Sequence, residues 1–180
     1  MALPGKQRDV EKLVNDHYDF LYRYAYRLSG SAADAEDLTQ ETFCTAQMKW
    51  SQLRDRSRAK PWLFSILRNA YLHRIRGDKQ HPVVSLANIC DVAEPPPDPL
   101  PPVEPERLQQ ALSELPEGFR TPVILYYFAD FSYRDIAEQM DLPLGTVMSR
   151  LARAKVHLRS LLQSTASVAT DDSQRAKHGL

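Results

Sequence analysis

Seven of the chain's thirteen prolines fall between Glu94 and Pro105. Proline fixes φ, lacks an amide hydrogen and disfavours helix in the residue before it. The stretch Glu94-Pro95-Pro96-Pro97-Asp98-Pro99-Leu100-Pro101-Pro102-Val103-Glu104-Pro105 therefore reads as an extended, semi-rigid spacer. It divides the 180 residues into two pieces. The expected organisation is an N-terminal unit over 8–78, a linker over 79–105, a C-terminal unit over 106–162 and a frayed polar tail over 163–180.

Both pieces carry helical periodicity and neither shows strand alternation, which predicts an all-α protein of two small helical domains. In the first, Leu13, Val14, Phe20, Leu21, Tyr24 and Leu28 recur close to one helical face. Ser29-Gly30-Ser31 ends that helix, and Ser31 with Asp34 suits a capping box for the next. The second helix runs to about Trp50, with Ala35, Leu38, Thr42 and Ala46 on one side. A basic stretch without period follows, and a third helix starts near Pro61, a suitable first-turn residue. Its expected buried stripe is Leu63, Ile66, Leu67 and Ala70, and Trp62 is expected in the core. In the second piece, helices are expected over Glu106–Leu115, Pro116–Phe128, Ser132–Met140 and Leu144–Leu162.

The net charge of zero conceals segregation. Seven Lys/Arg and one acid lie between Arg56 and Lys79; four Lys/Arg and no acid lie between Leu144 and Leu162. Such patches, rather than their sum, set the field that a polyanion meets. No apolar run is long enough to span a bilayer, and Met1–Arg8 has no secretory core, which points to the cytoplasm. Cys44 and Cys90 have no metal-ligand or disulfide-framework spacing. No phosphate-binding GxxxxGK[ST] loop and no acid–base or nucleophile constellation is present. These absences predict a protein that is not an enzyme, has no cofactor or metal, and takes no small-molecule substrate.

The helices over 132–140 and 144–162, with a short turn between them, have helix-turn-helix form. Val147, Leu151, Ala154, Leu158 and Leu161 make one stripe of the second helix, while Thr146, Ser149, Arg150, Arg153 and His157 are read as the opposite one. Arg can bond a guanine edge twice, and Ser or Thr reach bases or phosphates. Periodicity alone fits a solvated bundle helix equally well. The stretch from Leu115-Pro116 through Tyr133-x-x-Ile136-Ala137 to Gly145-Thr146-Val147-x-Ser149-Arg150-Leu151-x-Arg153-Ala154 resembles the −35-reading domain of bacterial sigma factors.

A second signature is Asp34-Ala35-Glu36-Asp37-Leu38-Thr39-Gln40-Glu41-Thr42-Phe43. Asp37, Gln40 and Glu41 share a face opposite Ala35, Leu38 and Thr42. Acids near a helix start also serve the helix dipole, but the string resembles the sigma segment that docks on the polymerase clamp. Downstream, Lys60-Pro61-Trp62-Leu63-Phe64-Ser65-Ile66-Leu67-Arg68-Asn69-Ala70 resembles the helix that meets the −10 element. The family more often has Thr where Pro61 stands. Ser65, Asn69, His73 and Arg76, with Arg68 beside them, lie opposite the expected stripe. In the family the preceding loop holds a flipped base; here its Arg54, Arg56, Arg58 and Lys60 fit a path for a phosphate backbone.

The resemblance covers about Val10–Arg76 and Glu106–Leu162 and is to the small extracytoplasmic-function (ECF) type of sigma factor. It implies promoter DNA as a partner, together with core RNA polymerase through the clamp coiled coil of its largest subunit and the flap of the second largest. It also implies an anti-sigma factor, often membrane-anchored in the family. The 27 residues from Lys79 to Pro105 could extend roughly 80 Å at ~3.1 Å per residue, enough for the units to sample compact and promoter-spanning forms. A one-component helix-turn-helix regulator that binds duplex DNA without polymerase is the alternative.

Overall fold

The computed structural model describes the backbone of residues 5–77 and 103–175, and side chains within 10–77 and 103–163. The N-terminal unit comprises α1 (Gly5–Ser29), α2 (Ala32–Met48) and α3 (Ala59–Gly77), with two short 3-10 turns, Trp50–Gln52 and Arg56–Arg58, before α3. The C-terminal unit comprises α4 (Pro105–Glu114), α5 (Glu117–Ala129), α6 (Tyr133–Met140) and α7 (Leu144–Arg175). Residues 78–102, most of the expected linker, lie outside the described residues.

The helix boundaries have local causes. Gly30 takes φ +73°, and its N–H donates to the Tyr26 carbonyl at 2.8 Å, closing α1. A left-handed residue there satisfies an orphan carbonyl with no Cβ penalty. The Ser31 side chain accepts from the Asp34 N–H, one half of the expected box. The full reciprocal box forms instead at α6, between Ser132 and Asp135. In the turn of the helix-turn-helix, Asp141 is left-handed and Leu142 N–H returns to the Ala137 carbonyl at 3.0 Å. At the far end, α7 runs on to Arg175 rather than fraying from Gln163. Between Gly145 and Gly179 no glycine or proline interrupts it.

Pro122 sits inside α5. It has no N–H for the carbonyl four residues back, that of Gly118. The Arg150 guanidinium of α7 supplies the donor at 3.2 Å. Gly118 makes room for it, since a Cβ there would stand 3.2 Å from the same guanidinium.

The two units are packed together, and one continuous apolar core runs through both. The buried face of α3 differs from the expected stripe: Leu63, Phe64, Leu67 and Tyr71 are buried, while Ile66 and Ala70 are only partly so. The cause is that α3 is covered twice. Phe64 meets Tyr24 of α1 at 4.7 Å between ring centroids and Phe131 of the α5–α6 connection at 5.0 Å. Phe20, expected on the buried face of α1, is exposed, with Lys60 over its ring.

Candidate nucleic-acid interface and docking face

Three groups of side chains make up the candidate site. The first lies on α7. Val147, Leu151 and Ala154 are buried against the rest of the C-terminal unit. Ser149 and Arg153 are exposed, and Thr146 and His157 half-buried. Arg150 does not stand on the outer stripe with them: it is half-buried and donates to Gly118. At 100° per residue it falls only about 60° from Val147, at the edge of the packed stripe. Met148 and Lys155, which periodicity did not single out, are exposed on the outer face.

The second group is the acidic face of α2. Asp37, Gln40 and Glu41 are all exposed. Arg74 of α3 lies across them, 3.3 Å from Glu41, 3.7 Å from Asp34 and 3.9 Å from Asp37. Thr39 and Thr42 are buried beneath, their hydroxyls donating to the Ala35 and Leu38 carbonyls at 2.7 Å. This is how a helix buries hydroxyls without leaving them unsatisfied.

The third group is α3 and its preceding loop. Arg54, Asn69, His73 and Arg76 are exposed. Arg56 stacks over Trp50, its guanidinium carbon 3.7 Å from the ring centroid, a cation–π contact that fixes a long side chain. Asp55 accepts from both the N–H and the hydroxyl of Ser57, and these bonds hold its carboxyl below the usual carboxylate range. Trp62 is half-buried, 6.3 Å from Trp50 between centroids. It lines a cleft of about 320 Å³ with Leu53, Arg58, Ser65, Glu138 and Gln139.

The remaining four members face the C-terminal unit. Arg58 pairs with Glu138 of α6. Lys60 donates to the Ala129 carbonyl at the end of α5, at 2.6 Å. The Ser65 hydroxyl and the Gln139 amide are 3.1 Å apart. Arg68 donates to Glu117 of α5 at 3.1 Å, with both side chains largely buried. Around this last pair the seam is polar. Arg120 donates to the Leu28 carbonyl at 2.9 Å, and Thr121 to Glu117 at 3.0 Å. Tyr24 Oη, Arg68 Nε and Arg120 Nε are buried without a partner. Burial pushes the Tyr24 and Tyr71 hydroxyls above their ordinary range. Sequence reasoning found the four N-terminal members and missed Glu117, Glu138 and Gln139. Glu117 reads as a helix-start acid, and nothing in the C-terminal periodicity points to α3.

Comparison with known proteins agrees with both helical units. The family described as Sigma-70 region 2 matches residues 13–80, and that described as Sigma-70, region 4 matches residues 106–158. The chain is 36% identical over 162 residues to the ECF RNA polymerase sigma factor SigE of Mycolicibacterium smegmatis, covering 87% of this chain and 63% of that one. It is 32% identical over 161 residues to EcfG of Rhodopseudomonas palustris, covering 88% and 89%. SigW of Bacillus subtilis is 28% identical over 171 residues, covering 88% and 91%. Among solved structures, the sigma factor RpoE in complex with the anti-sigma factor NepR from Bartonella quintana superposes with a TM-score of 0.70 at 29% identity, covering 87% and 98%. CnrH in complex with the cytosolic domain of CnrY shares the fold, with a TM-score of 0.65 at 24% identity and coverage of 89% and 91%.

The two matched regions are those of a sigma factor, a class of non-enzymatic transcription initiation factors. The chain belongs to the sigma-70 family and, within it, to the ECF sigma factors. Among the described residues no helix is long and apolar enough to cross a membrane.

Proposed function

We propose that the chain directs core RNA polymerase to its promoters and opens them, working in the cytoplasm without catalysis of its own. The observation that carries this is the presence in one chain of a region-4 helix-turn-helix and a region-2 unit whose acidic α2 face stands exposed. Thr146, Ser149, Arg153 and His157 of α7 face the −35 duplex, with Arg150 holding α7 in place. Arg54, Arg56, Arg58, Lys60, Ser65, Arg68, Asn69, His73 and Arg76 meet the −10 element and its separated strand. Asp37, Gln40 and Glu41 dock on the clamp coiled coil, and the C-terminal unit meets the flap. Opening DNA needs no covalent chemistry, because binding of the unstacked strand to the protein offsets the cost of unstacking. The solved relative bound to an anti-sigma factor supports a partner of that kind for this chain.

The test is transcription and promoter footprinting with and without core polymerase. The expected result is a footprint and transcript only with core present. Tight duplex binding by the chain alone, unimproved by core, would favour a one-component regulator.

A further inference from the structure

Arg74 leaves the last turn of α3 and reaches across to the acidic face of α2. One terminal nitrogen, Nη2, lies 3.3 Å from Glu41; the other, Nη1, lies 3.7 Å from Asp34 and 3.9 Å from Asp37. The Glu41 contact is a hydrogen bond, and the other two are longer ion pairs. A guanidinium that closes on one carboxylate with both prongs makes a strong pair. Here the fork is spread over three carboxylates and is bidentate to none. The Arg74 side chain keeps 37% of its exposure and the three acids keep 50–67%. Water competes at every contact, and exposed pairs of this kind hold weakly.

Asp34, Asp37 and Glu41 stand three and four residues apart, so their carboxylates share one face of α2 and repel one another. Arg74 relieves that repulsion with the charge that a basic partner would also bring. We propose that Arg74 is an internal placeholder on the docking face: docking on core polymerase is an exchange, in which a cation of the partner takes Asp37 and Glu41 from Arg74. The proposal rests on the docking reading of α2. Arg74 can let go without being stranded. It is already partly in water, and the C-terminal end of the α3 dipole still favours a cation there. The inner side of α2 is fixed by the buried Ala35, Leu38, Thr39 and Thr42, so the acids change partner on a helix that stays in place. Arg74 thus lowers the affinity for core below what the bare acids would give. An Arg74 that only held the acids in position would act with the opposite sign, since its loss would let them splay and weaken docking.

The experiment measures the affinity of the full chain, fluorescein-labelled at its N-terminus, for core polymerase, with thermal melting beside it. Four chains are compared: the parent, R74Q, D37N/E41Q, and the variant that combines all three changes. R74Q should bind core roughly two- to fivefold more tightly than the parent, the scale on which exposed ion pairs act. That gain should be lost in the D37N/E41Q background. R74K keeps a charge within reach of the acids and should gain less than R74Q; it also serves if R74Q lowers the melting temperature.

If R74Q leaves core affinity unchanged or weakens it while D37N/E41Q weakens it, the exchange is overturned and the docking reading stands. A gain that persists in the D37N/E41Q background would place the effect of Arg74 outside these acids and overturn the exchange as well. An R74K gain equal to that of R74Q would tie the effect to the arginine's shape rather than its charge, with the same result. If D37N/E41Q leaves core affinity unchanged, docking by α2 fails and the proposal falls with it.

Discussion

The Arg150 guanidinium donates to the Gly118 carbonyl at 3.2 Å, the oxygen that Pro122 leaves without a helical donor. A residue read from the sequence as a base reader thereby ties α7 to α5. Arg150→Ala should destabilise the chain by about 1 kcal/mol and weaken binding to every promoter rather than at one base position. Pro122→Ala restores the missing N–H, so the Arg150 contact should matter less in that background. Chemical denaturation of the four chains gives the coupling energy. A coupling of zero would leave Arg150 free to read DNA.

Arg153 should behave differently. It is exposed on α7, so Arg153→Ala should cost no more stability than a surface contact, about 0–1 kcal/mol, and weaken promoter binding. If Arg153 pairs with a guanine, the loss is about 1–3 kcal/mol at one position; if it holds phosphate, the loss is uniform. Footprints on base-substituted promoters, read beside thermal melting, check both statements.

For the docking face, neutral substitution is the cleaner test, because Arg74 already lies within 3.3–3.9 Å of three of its acids. D37N/E41Q should lower affinity for core polymerase with little change in melting temperature, since these exposed pairs are each worth only about 0–1 kcal/mol. Unchanged core affinity would mark this face as a solvated helix surface.

Strand opening should depend on the loop. R54A/R56A should preserve closed-complex formation and slow the appearance of permanganate-reactive thymines. A premelted template should restore transcription; failure to do so would move these residues onto duplex phosphates.

His17 reports on Lys60. Burial, with Lys60 assisting and Asp16 opposing, holds the His17 imidazole below its ordinary 6.5. A depressed value means that the folded chain prefers the neutral ring. That contribution is complete above pH 6.5 and is lost as pH falls through the folded value. Lys60→Met should raise the His17 midpoint in an NMR titration. An unmoved midpoint would separate the two groups.

The elements themselves were legible in the sequence because each follows local rules. Gly30, Pro61, Ser132 and the stripe Val147–Leu151–Ala154 announce ends and faces without reference to the rest of the chain. The burial of Phe64, by contrast, depends on Phe131, and the environment of Arg68 depends on Glu117, 49 residues away. Such pairings follow from how two units meet, which no period within either one encodes. Arg150 falls between these cases. It is read from the sequence on the outer stripe, although 100° per residue puts it about 60° from Val147; the proline in α5 is plain in the sequence, yet only the meeting of the two helices shows which carbonyl needed a donor.

Ionic strength acts on the α3 seam from two sides. For an open basic groove, the logarithm of the binding constant falls linearly with the logarithm of salt concentration, with a slope set by the number of phosphates neutralised. The Arg58–Glu138 pair is more than half exposed, so the ions that displace cations from phosphate also loosen the carboxylate occupying their place. The two effects subtract. A double-logarithmic plot for this chain should be shallow at low salt, where the Glu138 and Glu117 carboxylates are still being released from Arg58 and Arg68, and steepen once the groove stands empty. A count of phosphates taken from the shallow limb alone would fall short of the number of basic residues that grip the strand.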